Sequence, residues 1–228
     1  MITRMLVQCA ICGLQNEITA ESRVEAVEPP DFDTRPGEPL RSTLQSWVSS
    51  CRNCTYCAAD ISVSHPKAAE VLHTALYQQT YLDETMPPKA REFLCYAAIL
   101  DKVREHSDAG WSALHGSWVC DDEHDIYAAN RCREQAIEYW KRGKHAGQAF
   151  SEDHASEYAL VADLHRRMGQ FELAMYTCSE ALDMDDVPPV IENVLRRQKT
   201  LIEQHDTRPH SLRELLAATN RNATELMQ

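Results

Sequence analysis

Two CxxC pairs near the start of the chain constrain its fold more than any other feature. The first pair is Cys9–Cys12, followed by Gly13, and the second is Cys51–Cys54, with 38 residues between Cys12 and Cys51. Two thiolates from one tight turn can occupy two corners of a tetrahedron, and a second turn can supply the other two. The sequence therefore predicts a closed, structural metal site with Cys9, Cys12, Cys51 and Cys54 as ligands.

The glycine after the first pair fits this interpretation. Gly13 allows the positive φ that turns a backbone N–H towards sulfur. The spacing between the pairs is longer than in the usual zinc patterns, and unrelated thiols are the competing interpretation. A thioredoxin-like redox pair would need a βαβ setting, which this part of the sequence lacks.

The identity of the ion and of one ligand stays open at the level of sequence. Four cysteines can bind zinc or, as in rubredoxin-like sites, iron; we expect structural Zn²⁺. Cys57 follows Cys54 at the same interval that separates Cys51 from Cys54, so it is an alternative ligand. We prefer the pair Cys51 and Cys54, because Thr55 and Tyr56 can then form the turn after the second cysteine.

The rest of the chain predicts helices. Glycine is scarce, at 7 of 228 residues, and apolar residues recur at helical spacing from residue 65 onwards. We expect short strands at Met5–Gln8 and Ser46–Ser49, and one helix over Pro66–Leu82. Further helices are predicted at 87–105, 109–120, 125–142, 154–168, 171–184, 188–204 and 209–219.

A helical repeat pattern appears in the middle of the chain. Tyr158, Ala162, Gly169, Ala174 and Ala181 occupy positions typical of a tetratricopeptide repeat, in which small residues let two antiparallel helices approach. A weaker copy, which begins at Trp111, uses Leu114, Trp118, Ala129 and Ala136. An ordinary helical bundle is the alternative.

The fold class predicted is therefore mainly α. A small zinc-ribbon-like β module over residues 1–64 precedes a tetratricopeptide-like array of helical hairpins over residues 65–228. A module of about 60 residues can bury little core of its own, so a bound metal would stabilise it.

Several of these features together resemble a bacterial family of uncharacterised proteins that pair two zinc knuckles with tetratricopeptide-like helices. The resemblance is carried by Cys9-x2-Cys12-Gly13, Asp33-Thr34-Arg35-Pro36, Trp47, Cys51-x2-Cys54-Thr55-Tyr56 and Tyr158–Ala181. Because that family has no established activity, the resemblance implies an architecture and a metal but no reaction.

Charge narrows the choice of partner. The net charge is −12, and residues 87–189 hold 19 acidic against 11 basic residues. Such a chain repels phosphate backbones, which disfavours nucleic-acid binding. No apolar run is long enough for a membrane helix, and the N-terminal sequence lacks the pattern expected of a signal peptide. We expect a cytoplasmic protein that binds a protein or peptide partner in a helical groove; the oligomeric state stays open.

Catalytic patterns are absent from the sequence, which favours a non-enzymatic scaffold or adaptor. A metal-dependent enzyme with a His/Asp cleft near His115 or His124 remains an alternative, as does a nucleic-acid adaptor acting through the zinc ribbon. The acidic stretch Cys120–Asp125 is interpreted as a loop between helices, with Asp121 and Asp122 suited to capping. Cys95, Cys132 and Cys178 are interpreted as small core residues, and His165 as a packed one.

Overall fold

The protein is mainly helical, with a small β region near its N-terminus. The computed structural model describes residues 2–21 and 24–215. Strand β1 (Ile2–Gln8) pairs with β2 (Gln15–Glu21) in an antiparallel hairpin. A 3₁₀ helix (Arg41–Ser46) leads to a second, very short antiparallel pair, β3 (Ser49–Ser50) and β4 (Cys57–Ala58). The predicted strand Ser46–Ser49 is therefore wrong except at its last residue.

Eight α-helices follow the second strand pair in the described part of the chain. They are α1 (Ala68–Leu72), α2 (Ala75–Tyr81), α3 (Pro88–Lys102), α4 (His106–Asp122), α5 (Ile126–His145), α6 (His154–Arg167), α7 (Phe171–Leu182) and α8 (Pro189–Glu203). Six of the predicted helices are confirmed, with ends that shift by a few residues. The predicted helix at 209–219 runs beyond the described residues.

The single helix predicted over Pro66–Leu82 is wrong, because the chain breaks it in two. The Thr74 side chain accepts a hydrogen bond from the Tyr77 backbone N–H at 3.3 Å, which caps the start of α2. A threonine in this role ends one helix and begins the next, although the apolar spacing continues through it. Local capping therefore outweighs periodicity here.

The chain divides into two compact units, and neither is one continuous segment. The first consists of residues 1–24 and 42–150, and the second of residues 25–41 and 151–228. This division differs from the predicted boundary between residues 64 and 65. The cysteine region shares its unit with α1–α5, and only residues 25–41 of the segment between the two cysteine pairs belong to the other unit.

The first unit is built around α4, which packs against both α3 and α5. Gly110 makes the contact with α5 possible, because a Cβ atom there would lie 2.2 Å from Nε1 of Trp140. Trp140 in turn stacks on Phe150 at 4.4 Å between ring centroids. Burial of these large rings contributes a major share of the apolar stabilisation of the unit.

The second unit is a hairpin of α6 and α7 completed by α8. Gly169, at φ +74°, forms the turn between α6 and α7. The small residues of the predicted repeat are fully buried in one cluster with Leu195 of α8: Ala162, Ala174, Cys178 and Ala181. The helical hairpin is thus present at the predicted positions, and the repeat array itself stays a prediction.

The segment 25–41 is held in this second unit by charge and by apolar contact. The buried carboxylate of Asp33 pairs with Arg167 at 3.2 Å, and Phe32 packs with Val194 and Leu201. This docking explains the long spacing between the cysteine pairs. The chain leaves the first unit after one pair, contributes to the second unit, and returns for the other pair.

Within the described residues, no helix is both long and apolar enough to cross a membrane.

Candidate metal centre

The first cysteine turn, Cys9–Leu14, is called the first knuckle below. It connects β1 to β2, and two backbone hydrogen bonds close it. The Cys9 N–H donates to the Leu14 carbonyl at 2.9 Å, and the Gly13 N–H donates to the Cys9 carbonyl at 2.9 Å. Gly13 has φ +76°, the left-handed conformation predicted for it.

The second cysteine turn, Cys51–Tyr56, repeats this geometry and is called the second knuckle. The Cys51 N–H donates to the Tyr56 carbonyl at 2.8 Å, and the Thr55 N–H donates to the Cys51 carbonyl at 2.9 Å. Thr55 has φ +61°, so it adopts the conformation of Gly13 although it is β-branched. The two knuckles therefore share one backbone design.

The two knuckles bring the four predicted cysteines together. Their sulfur atoms all lie within 4.8 Å of one another. Two distances between the knuckles are shorter: 3.6 Å from Cys9 Sγ to Cys54 Sγ, and 3.5 Å from Cys12 Sγ to Cys51 Sγ. All four are free thiols. Zinc–sulfur bonds of about 2.3 Å in a tetrahedron place sulfurs about 3.8 Å apart, so this group can hold a metal ion such as zinc.

Asn16 links the two knuckles and was not identified from the sequence. Its buried side chain, on β2, donates to the Cys51 sulfur at 3.4 Å and to the Leu14 carbonyl at 3.0 Å. Its oxygen accepts from the Arg52 N–H at 3.1 Å. Hydrogen bonds of this kind orient ligands and favour the thiolate form. An isolated asparagine in a strand carries no sequence signal for such a role.

The thiols differ in how readily they ionise. A hydrogen bond from the Asn53 side chain lowers the pKa of Cys12 to about 6. Burial raises the pKa of Cys54 and, less strongly, that of Cys9. Metal ions bind thiolates, so metal binding must release the protons held by Cys9 and Cys54.

Cys57, the alternative ligand, lies outside the four-sulfur group. It is fully buried, and its sulfur donates to the Thr55 carbonyl at 3.3 Å. Burial raises the pKa of this thiol, and the neighbouring Cys95 raises it further. Cys57 is thus a core residue beside the second knuckle.

The acidic stretch Cys120–Asp125 does not form a second cluster, and it is a loop only after Asp122, because its first three residues belong to α4. Asp121 lies within α4 and holds the buried Arg133 with both carboxylate oxygens, at 2.7 and 2.6 Å. Asp125, not Asp121 or Asp122, caps α5 by accepting from the Ala128 N–H. Across residues 2–21 and 24–215, the four cysteines are the only group of His, Cys, Asp and Glu side chains close enough to hold an ion.

Three further cysteines and His165 occupy positions that fit the packing roles expected for them. Cys95, Cys132 and Cys178 are fully buried in helices of their units. The His165 ring is half-buried and hydrogen-bonds the Gln170 side chain at 2.6 Å.

The fold and the site define a mainly helical protein with a tetracysteine centre between two knuckles. No protein-family profile, curated protein or solved structure was found to match the chain. The interpretation of function therefore depends on the site itself.

Proposed function

We propose that this chain is a zinc-binding, non-enzymatic interaction protein in which the ion has a structural role. The observation that carries the proposal is the convergence of four thiols from two backbone-matched knuckles within 4.8 Å. Four thiolates complete a tetrahedron and leave no position for a reactive water. Such an ion stabilises a fold and does not itself activate a substrate.

Zinc is the ion that fits this role best. Soft thiolate ligands in a tetrahedral arrangement favour zinc or iron over calcium and magnesium. Zinc has no redox chemistry, so it suits a centre that only supports structure. Protein produced in medium containing both metals should carry one zinc per chain. A red, iron-type absorption spectrum would assign iron instead.

Two substitutions test the ligand set against a matched control. Replacing Cys51→Ser removes a thiolate from the group, so the purified variant should contain less than a tenth of the wild-type zinc. Replacing Cys57→Ser alters a neighbouring buried thiol outside the group, so zinc content should stay at one per chain. If Cys57→Ser loses the metal and Cys51→Ser keeps it, the proposed ligand set is wrong.

The interaction role is supported by apolar side chains that α7 leaves in solvent. Leu173 and Tyr176, one helical turn apart, are 52% and 64% exposed. They lie on the hairpin that carries the repeat pattern, and helical repeats bind peptides or helices of partners. The family resemblance implies the same architecture.

Photo-crosslinking tests the interaction role in cells. A crosslinking amino acid at Tyr176 should capture one discrete protein, and competition with purified wild-type chain should reduce its yield. The same amino acid at Arg196, an exposed polar position on α8 of the same unit, is the control. Equal capture at both positions, or none at Tyr176, would contradict a partner at this face.

A further inference from the structure

A cavity of 280 Å³ in the first unit is walled by aromatic rings and is separate from the cysteine group. Helices α3 and α4 provide most of the wall, and the segments flanking the second knuckle provide Trp47 and Ala59. Its aromatic lining consists of Trp47, Phe93, Tyr96, Trp111 and His115. The volume lies just below the range of about 300–1,000 Å³ typical of ligand pockets, so it fits a small chemical group.

Rings approach His115 from several sides, two of them edge-on and two, Trp111 and Trp118, tilted at 36° and 41°. The Trp47 ring meets His115 at 4.9 Å between centroids and an interplanar angle of 83°. The Phe93 ring meets it at 5.7 Å and 75°. The Trp47, Phe93 and His115 rings therefore differ in orientation while lining the same cavity.

The polar edges of both tryptophans are already occupied. The Trp47 indole N–H donates to Thr43 Oγ1 at 2.8 Å, and the Trp111 indole N–H donates to the Phe150 carbonyl at 3.1 Å. These hydrogen bonds fix the rings in place. The two indole N–H groups are therefore not free to hydrogen-bond an occupant of the cavity.

Two carboxylates complete the lining. Glu105 and Asp108 are exposed, and both line the cavity near the start of α4. In the described structure, neither side chain forms an ion pair or a hydrogen bond. Burial raises the pKa of Tyr96, and both carboxylates raise it further, so their negative potential extends into the cavity.

No basic side chain offsets these charges at the cavity wall. Neither Lys nor Arg occurs among the described lining residues. Burial lowers the pKa of His115 to about 4, so its imidazole is neutral at physiological pH. The cavity thus combines aromatic rings, two unpaired carboxylates and no basic side chain among its described lining residues.

We propose that this cavity binds an alkylated ammonium group, either as a free quaternary ammonium compound or as the trimethyllysine side chain of a peptide. Aromatic faces attract such cations through their quadrupoles, and the carboxylates add long-range attraction. A plain ammonium group would lose hydrogen bonds to water that rings cannot replace. A trimethylammonium group has no N–H to satisfy, so it enters an aromatic cavity at a lower cost.

The proposal goes beyond a structural zinc role and does not depend on a partner at α7. Binding can be followed by tryptophan fluorescence or isothermal titration with tetramethylammonium as the probe. We expect saturable binding at millimolar or lower concentration. The neutral isostere 3,3-dimethylbutanol should bind at least tenfold more weakly, because it has the same bulk without the charge. Equal binding of both probes, or no saturation with the cation, would overturn the proposal.

Peptides separate the two sources of the cation. A peptide with trimethyllysine that binds at least tenfold more tightly than tetramethylammonium, while its unmodified lysine counterpart does not, assigns a modified protein as the source. A trimethyllysine peptide that binds no better than tetramethylammonium assigns a free quaternary ammonium compound. Both outcomes support the cavity as a site for alkylated ammonium.

Two variants test the residues. Trp111→Leu should weaken tetramethylammonium binding about 5- to 30-fold through loss of a cation–π face. Because that ring also packs on Trp140, a second variant avoids the core: Glu105→Gln with Asp108→Asn changes only exposed groups. It should weaken binding several-fold and reduce the salt dependence, whereas Glu123→Gln, an exposed acid outside the lining, should not. Unchanged binding in the double variant would contradict the role of the carboxylates.

Discussion

The two knuckles have the same backbone geometry, but their surroundings differ. In each, the first cysteine N–H donates to a carbonyl five residues later, and the residue after the second cysteine adopts a positive φ. The first knuckle lies at the tip of an exposed hairpin. Between Thr3 and Thr19, only Val7, Cys9 and Asn16 are buried. The hairpin therefore has almost no apolar core of its own.

The second knuckle is instead embedded in the core of its unit. Tyr56, Cys57, Ala58 and Ile61, which follow its cysteines, are all fully buried. The Tyr77 hydroxyl donates to the Thr55 carbonyl at 2.7 Å and accepts from the Cys57 N–H at 3.2 Å. The comparison teaches that one turn geometry can be maintained in two ways. We infer that the metal maintains the first knuckle and that packing maintains the second.

Metal removal should produce the largest difference in behaviour between the two knuckles. Structural zinc contributes on the order of 10 kcal/mol to small metal-dependent folds. Apart from the metal, the first knuckle is tied mainly by the Ala10 N–H to Ile61 carbonyl hydrogen bond at 2.8 Å and by the Asn16 side chain.

After chelation, the Cys9 and Gly13 amides should exchange with solvent at least 100-fold faster. The Cys51 and Thr55 amides should retain most of their protection. Hydrogen exchange resolved by residue measures both.

Re-addition of zinc is the control for that experiment and should restore the protection of the first knuckle. Equal loss of protection at both knuckles would show that the second also depends on the metal. No change at either would contradict a metal role in this protein.

Asn16 should affect both knuckles, because it connects them. Asn16→Ala removes the hydrogen bond to the Cys51 sulfur and leaves the Arg52 N–H without its partner. Loss of such outer contacts lowers metal affinity by about 10- to 100-fold. Competition with a chromogenic chelator measures the affinity. Gln15→Ala, an exposed neighbour on the same strand, should leave it unchanged.

Loss of the Tyr77 hydroxyl should weaken the second knuckle and leave the first unaffected. Tyr77→Phe leaves a buried carbonyl and a buried N–H without partners, at a cost of about 2 kcal/mol in the free energy of unfolding. Urea denaturation measures it. Tyr127→Phe, at a side chain that is 75% exposed, is the control and should be neutral. The zinc affinity of the folded variant should change little, because the four cysteines of the group are intact.

Substitution of Thr55 should have the smallest effect on the free energy of unfolding, and it should stabilise the protein instead of destabilising it. A β-branched residue at φ +61° is strained, so Thr55→Gly should raise the free energy of unfolding by about 1 kcal/mol. The reciprocal change in the first knuckle, Gly13→Thr, should introduce the same strain and destabilise the metal-bound hairpin. Stabilisation by both changes would show that backbone strain is not what distinguishes these positions.

The sequence predicted the four-cysteine group well because its members lie in short local patterns. Two CxxC turns and Gly13 were sufficient to name the four cysteines that the structure brings together. Helices such as α3 and α8 were equally predictable from the sequence, since each begins with proline and carries regular apolar spacing. The predictions failed where a local competitor intervened, as when Thr74 capped a new helix inside an apolar pattern.

What the sequence by itself determined, then, is the identity of the four cysteines that come together, the mainly helical character and the α6–α7 hairpin. All three follow from residue types at fixed short spacings, and short spacings have few backbone solutions. The tertiary structure alone decided that Asn16 joins the knuckles, that residues 25–41 belong to the second unit, and that five rings surround one cavity. These features depend on residues distant in sequence, and no local pattern records which of them will meet.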